Sequence, residues 1–264
     1  MTTVADAIRT KAGGSSPLSF PDGFVTAVEG ITGGGGGGDD FWMGILSTAM
    51  NAPITIGVDD WGTITSIRPG FFTNQEVDSL EIPNTITRYG NNAFEGINSQ
   101  SEGYYTGANI SFPNGVSSSP VFGDDLFKDA YLNGWPAGLT IPNTTLPGKF
   151  FNGTRFYGDL IIPDGISTLS TYSVNIQFTG SGSADRKVVV PASVVYIQDY
   201  YALGGKTSST KITIQMLGST PPTVTSTSAL HNLKSIIVPA GSLQAYQEAT
   251  NWAQFADIMV EASA

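Results

Sequence analysis

Leu139-Thr140-Ile141-Pro142-Asn143-Thr144-Thr145-Leu146-Pro147-Gly148-Lys149-Phe150-Phe151-Asn152-Gly153 reads as a short β-branched strand closed by a proline, then a turn, then a buried aromatic pair. Related stretches are Ser79–Pro83 with Ala93 and Phe94, Ile110–Pro113 with Phe122, Leu160–Pro163 with Tyr172, Val188–Pro191 with Tyr200 and Tyr201, and finally Ser235–Pro239. Two weaker copies, Ile56–Val58 before Asp59 and Ile212–Ile214 before Gln215, fill the gaps once the proline slot admits a polar residue. Anchors then fall at 59, 83, 113, 142, 163, 191, 215 and 239, at intervals of 24, 30, 29, 21, 28, 24 and 24 residues. A period in this range marks a solenoid.

One unit explains why the pattern repeats. Leu80 and Ile82 alternate with Glu81, which makes a half-buried strand. Pro83 has no N–H to give to a ladder, so the strand stops there. The few apolar side chains of a unit, at roughly 1.5–3 kcal/mol each, do not offset ordering its backbone at about 1–2 kcal/mol per residue. Each unit therefore needs a stacked neighbour.

The order of strand, proline, small apolar residue and then Ala-Phe or Asn-Gly, most complete from Pro83-Asn84-Thr85-Ile86 through Ala93-Phe94-Glu95-Gly96, resembles the BspA-type leucine-rich repeat. The likeness runs over residues 54–260. The stretch from Thr220 through Val238-Pro239-Ala240-Gly241-Ser242 to Asn251-Trp252 is similar to the usual ending of such arrays. Irregular repeat lengths and the lack of a repeat-end cysteine depart from the pattern. The resemblance implies a mainly β fold: a BspA-like leucine-rich-repeat solenoid with a C-terminal capping helix and a generic binding surface.

Ahead of the repeats, residues 2–12 read as an amphipathic helix with Val4, Ala7, Ile8 and Lys11 at helical spacing, stopped by Gly13-Gly14. A second short helix is predicted from Asp22 to Gly30, with Phe24, Val25 and Val28 on one face. This unit, from Val4 through Phe20-Pro21-Asp22-Gly23-Phe24 to Ile31, is similar to a small N-terminal module of phage and prophage tail-associated proteins. The resemblance implies docking on other virion proteins. Two marginal helices also need partners to bury Ile8, Phe24 and Val28, which predicts a homo-oligomer.

Gly33–Gly38 is a run of glycines followed by Asp39-Asp40. Phosphate-cradling loops space their glycines and carry a lysine, so this run reads as a flexible linker. The expected organisation is a helical docking module at 1–32, a linker at 33–40 and a capped solenoid at 41–264. Phe41–Leu46 is the expected N-terminal cap.

Composition narrows the function. Of the 264 residues, 13% are charged and 40% hydrophobic, with 32 glycines and no cysteine. A net charge of −10 opposes nucleic acid, whose binding runs on phosphate neutralisation. It equally opposes anionic membrane surfaces, and no stretch has the apolar length of a membrane span. Residues 1–12 lack the basic start and apolar run of a secretory leader, which weights the expectation towards a virion rather than a secreted cellular protein. The single histidine, His231, is placed in a turn between repeats without a catalytic partner. Asp39-Asp40, Asp59-Asp60 and Asp124-Asp125 read as solvated turns rather than calcium loops. No catalytic residue, metal or cofactor is implied, although two distant carboxylates at glycosidase spacing remain open to sequence reasoning.

Three excursions interrupt the repeats: Asn98–Ala108 with Tyr104 and Tyr105, Asp124–Gly138 with Tyr131 and Trp135, and Gly180–Asp185. Solenoid insertions often form the binding face, and tyrosine and tryptophan are effective contact residues. Tyr104, Tyr105, Tyr131 and Trp135 are therefore the binding candidates, towards a host-surface saccharide or protein. The expected function is non-enzymatic host attachment by a phage particle, located at the tail or capsid surface. The alternative is a bacterial cell-surface or secreted adhesin.

Overall fold

The computed structural model describes residues 54–61, 64–99, 107–180 and 182–263, all within one compact unit, Ile54–Ala264. The docking module with Ile8, Phe24 and Val28, the linker, the N-terminal cap segment, and Tyr104 and Tyr105 lie outside these residues. The described residues form a mainly β parallel solenoid of about seven turns.

Its strands fall into three sets by their place in the repeat. The first holds β1 (Ile54–Ile56), β3 (Val77–Glu81), β5 (Asn109–Ser111), β10 (Leu160–Ile161), β13 (Lys187–Val190), β16 (Ile212–Met216), β19 (Leu233–Val238) and β20 (Met259–Glu261). The second, past the proline, holds β2 (Ser66–Ile67), β4 (Arg88–Tyr89), β6 (Val121–Phe122), β8 (Thr145–Leu146), β11 (Thr168–Leu169), β14 (Tyr196–Ile197) and β17 (Thr223–Val224). The third holds β7 (Tyr131–Leu132), β9 (Arg155–Phe156), β12 (Val174–Phe178), β15 (Leu203–Gly205) and β18 (Leu230–His231). Strands pair in parallel with their counterparts in the next turn, as β13 does with β16 and β11 with β14, except between β5 and β10 and between β6 and β8.

Alternation sorts the side chains. Leu80, Ile110, Leu160, Val188, Ile214 and Ile236 point inward from the first set and are buried, as are Leu146, Leu169 and Ile197 from the second. At the bend before the third set, Phe72, Phe94, Phe127 and Phe151 stack one per turn. Centroid spacings are 5.4, 5.0 and 5.5 Å and interplanar angles no more than 20°. Beyond Phe151, the backbone bonds Phe151 N–H to Ser173 O, Val174 N–H to Ala202 O and Leu203 N–H to Ala229 O carry the same column on through Val174, Leu203 and Leu230. The Phe94 placement agrees with the sequence reading.

Four expectations need correction. First, Leu139–Ile141 is not a strand: Ser111 bridges to Ala137 instead of to Thr140, three residues from the 29-residue spacing. Pro136 and Pro142 remove ladder donors. Gly138, at φ 75°, lies so close to Phe112 that a Cβ would come within 2.2 Å of its carbonyl oxygen. The first set is consequently interrupted between β5 and β10. Second, Gln215 pairs with Val189 rather than sitting opposite Pro191. A slip of two residues keeps Ile212, Ile214 and Met216 inward, so alternation alone does not resolve it.

Third, Phe122 belongs to β6, and the apolar pair of that turn is Leu126 and Phe127, both buried. Tyr131 likewise lies in β7 and not in an excursion. Fourth, Tyr172, Tyr200 and Tyr201 do not fill the core; Ser173, Val174, Ala202 and Leu203 are buried in their place.

The C-terminal end is capped. Pro239–Ser242 turns into helix α1 (Leu243–Glu248), a 3-10 segment follows at Ala253–Ile258, and β20 returns against β19. Tyr246 and Trp252 are buried edge to face at 5.1 Å. Trp252 Nε1–H donates to Pro222 O at 2.9 Å, Asn251 Nδ2 to Val224 O at 2.7 Å and the Tyr246 hydroxyl to Gly218 O at 2.7 Å. These bonds satisfy carbonyls that a further turn would otherwise meet. Ser242 stands at the helix start without a side-chain capping bond, and Glu261 Oε1 accepts from the Gly241 and Leu243 amides instead. Phe255 is only half-buried, so Trp252 is the main cover.

Replacing Phe94 by alanine opens a cavity between Phe72 and Phe127 and should cost about 3–5 kcal/mol, read from denaturant unfolding. Deleting residues from Gln244 onward should lower both melting temperature and solubility; unchanged values would show that Trp252 and Tyr246 do not close the solenoid.

Candidate functional site

The aromatic residues chosen from sequence within the described segments serve two separate places. Tyr131 lies under the Arg155 guanidinium, 4.8 Å from the ring centroid, and its hydroxyl accepts a hydrogen bond from that group. Trp135 lines a cleft of about 210 Å³ with Ser79, Glu81, Asn109, Ser111 and Asn133, and Tyr131 is not among the lining residues. The Trp135 indole N–H donates to Leu139 O at 3.0 Å while its ring meets the Phe151 ring at 5.4 Å. Both side chains are thus held by neighbours. The cleft is the gap left where the first set of strands is interrupted.

A different aromatic cluster stands at the bend between the second and third sets. Six successive turns place a left-handed residue there: Gly70 (φ 67°), Asn92 (58°), Asp125 (53°), Lys149 (59°), Tyr172 (56°) and Tyr201 (53°). Backbone bonds tie neighbouring turns at this bend, with Asn92 N–H on Asp124 O, Lys149 N–H on Thr171 O and Tyr172 N–H on Tyr200 O. Glycine, asparagine and aspartate tolerate this conformation; a bulky side chain pays for it. Turn six carries two such tyrosines in succession, since Tyr200 sits at φ 50°. Tyr200 is 59% exposed, Tyr201 41% and Tyr196, on neighbouring β14, 38%. Tyr172 and Tyr201 lie 5.4 Å apart, tilted by 55°.

Asp199 completes the cluster. Its Oδ1 accepts from the Tyr200 amide at 2.7 Å, from Ser228 Oγ at 3.0 Å and from Ser226 Oγ. The Ser226 hydroxyl, then the Tyr200 amide and Ser228, hold the carboxyl below its ordinary range. All three bonds fall on one oxygen.

Beneath Tyr201, at 4.4 Å and edge to face, lies His231, on β18 and not in a turn as the sequence suggested. Its Nε2 faces Asn175 Oδ1 at 3.0 Å, and Asn175 Nδ2 in turn donates to Asn152 Oδ1 at 2.9 Å. The imidazole crosses Gly204, where a Cβ would sit 2.5 Å from Nδ1. Glycine at 204 is what lets the ring reach Asn175. Burial pushes the imidazole pKa down to about 4, against the opposing pull of the Leu203 and Gly205 backbone. His231 is therefore a neutral floor under Tyr201. Asp125, of the last acidic pair, accepts from Asn152 Nδ2 at 3.2 Å and lies 3.7 Å from Lys149 Nζ.

These tyrosines escaped sequence reasoning because each falls where the repeat expects a core aromatic. The available signal was that they occupy a bend position held elsewhere by glycine, asparagine or aspartate. The class defined by these observations is a parallel β-solenoid with a tyrosine-bearing bend. The chain matches no known family model and no curated protein.

The imidazole generates a pH prediction. Between about 4 and 6.5 the unfolded chain binds the proton and the folded chain does not, so stability rises with pH across that window. The contribution is full above pH 6.5 and lost as pH falls towards 4, amounting to about 3 kcal/mol. Melting temperature should therefore fall more steeply with acidification in the parent than in His231→Gln, and parallel curves would place the titration elsewhere.

Proposed function

We propose that this chain is a non-enzymatic attachment protein of a phage or prophage particle, with the solenoid displayed towards the host surface and residues 1–32 docking on other virion proteins. The observation that carries the reading is the pair of solvent-exposed tyrosines on left-handed backbone, Tyr200 and Tyr201. Tyr200 adds a second left-handed residue to the one the bend uses at Tyr201, and strained backbone of this kind clusters at ligand contacts.

Two sequence features support the rest. The repeat around Pro83–Gly96 resembles the BspA-type leucine-rich repeat, a scaffold suited to surface contacts. The resemblance of residues 4–31 to a phage tail-associated module, followed by the Gly33–Gly38 run, supports a docking unit linked loosely to its display unit.

A chain beginning at Asp39 should fold, melt cooperatively and bind host cells, yet stay out of particles. Residues 1–32 fused to an unrelated protein should be carried into them. Immunodetection on purified particles checks both. Incorporation of the shortened chain at the full-length level would move the function to a bacterial cell-surface or secreted adhesin.

A further inference from the structure

We propose that Tyr172, Tyr200 and Tyr201, with the Asp199 carboxylate, form a binding site for a neutral saccharide. The proposal rests on the attachment reading and gives it a ligand class.

The tyrosines on left-handed backbone carry a conformational cost. Four other turns make the same bend with Gly70, Asn92, Asp125 and Lys149, so the fold does not require a ring there. Turn six nevertheless places two tyrosines in the left-handed region and leaves both rings in solvent. Tyr201 is braced from below by His231 and from the side by Tyr172. A braced, exposed ring is a flat platform with little rotamer freedom left to lose on binding. The C–H face of a pyranose suits it.

The polar part is Asp199. With Ser226, Ser228 and the Tyr200 amide all bonded to Oδ1, the carboxylate is fixed and Oδ2 is free to accept. A hydroxyl donated to an ionised carboxylate makes a charge-assisted bond, stronger than a neutral one. The few directed polar groups beside an apolar platform are the usual composition of a small-ligand site.

Charge and backbone pairing argue against acidic ligands and against an added strand. A fixed carboxylate on a chain of net charge −10 repels acidic glycans and nucleic acid alike. A peptide adding as a strand would need free backbone groups, but Tyr172 N–H is bonded to Tyr200 O and Tyr201 N–H to Ser228 O.

The test is calorimetric titration of the full chain with soluble neutral oligosaccharides built from glucose, mannose, galactose or N-acetylglucosamine, with oligogalacturonate as the acidic counterpart. At least one neutral probe should bind, and oligogalacturonate should not. Tyr200→Gly and Asp199→Asn should each weaken binding about tenfold or more, equivalent to about 1.4 kcal/mol. Because glycine accepts the positive φ, Tyr200→Gly should leave the melting temperature unchanged or raise it, separating lost contact from lost fold. Absence of binding by every neutral probe, tighter binding of the acidic one, or unchanged affinity in both variants would overturn the site. Adhesion of the same proteins to host cells separates the two readings. Adhesion that persists undiminished in both variants refutes the saccharide site and leaves attachment standing. Oligosaccharide binding without adhesion does the reverse.

Discussion

The sideways parallel ladder between turns is the interaction on which everything else depends. A strand such as β11 or β14 is two residues long and would be meaningless alone. It persists because its peptide groups pair with the turns before and after it. Like stacks on like under that constraint: phenylalanine on phenylalanine from Phe72 to Phe151, then aliphatic residues from Val174 to Leu230. Where the column changes type, the backbone path does not.

Stacking also dictates the bends. Successive turns must close over one another, and six of them reverse direction with a left-handed residue at one place in the repeat. That requirement links fold to surface chemistry. A residue held in this conformation points where the solenoid aims it, whatever its identity. Asparagine and aspartate at the bend spend their side chains on local bonds, as Asn92 does with Glu95 at 2.7 Å. Tyrosine at the same place projects an aromatic surface. Gly204 and His231 show the same economy from the inside, since one missing Cβ lets the imidazole span a turn to reach Asn175 and support Tyr201 from below.

Departures from regularity are equally physical. Between β5 and β10 the ladder fails because Pro136 and Pro142 have no amide hydrogens. The side-chain amide of Asn133 compensates nearby by pairing with both backbone groups of Gly107, at 3.0 Å each. Asn98 does the same for Val77 one turn earlier, at 2.7 and 2.8 Å. Buried peptide groups need partners, and an asparagine carries the donor and acceptor that a missing strand would have supplied.

From sequence alone, the alternation of Leu80 with Ile82, the recurring proline and the period near 26 residues determine a stacked β-solenoid. They also determine the core place of Phe94 and the closing role of Trp252, because these follow from local periodicity and from the need to cover an open end. The tertiary structure decided what periodicity leaves degenerate. The register of β16 differs by two residues, a change that alternation does not register. Leu139–Ile141 has the composition of a strand but no partner able to pair with it. Tyr172, Tyr200 and Tyr201 have the composition of core residues and face solvent, because the sign of φ at the bend, set by how turns close on one another, determines which way a side chain points.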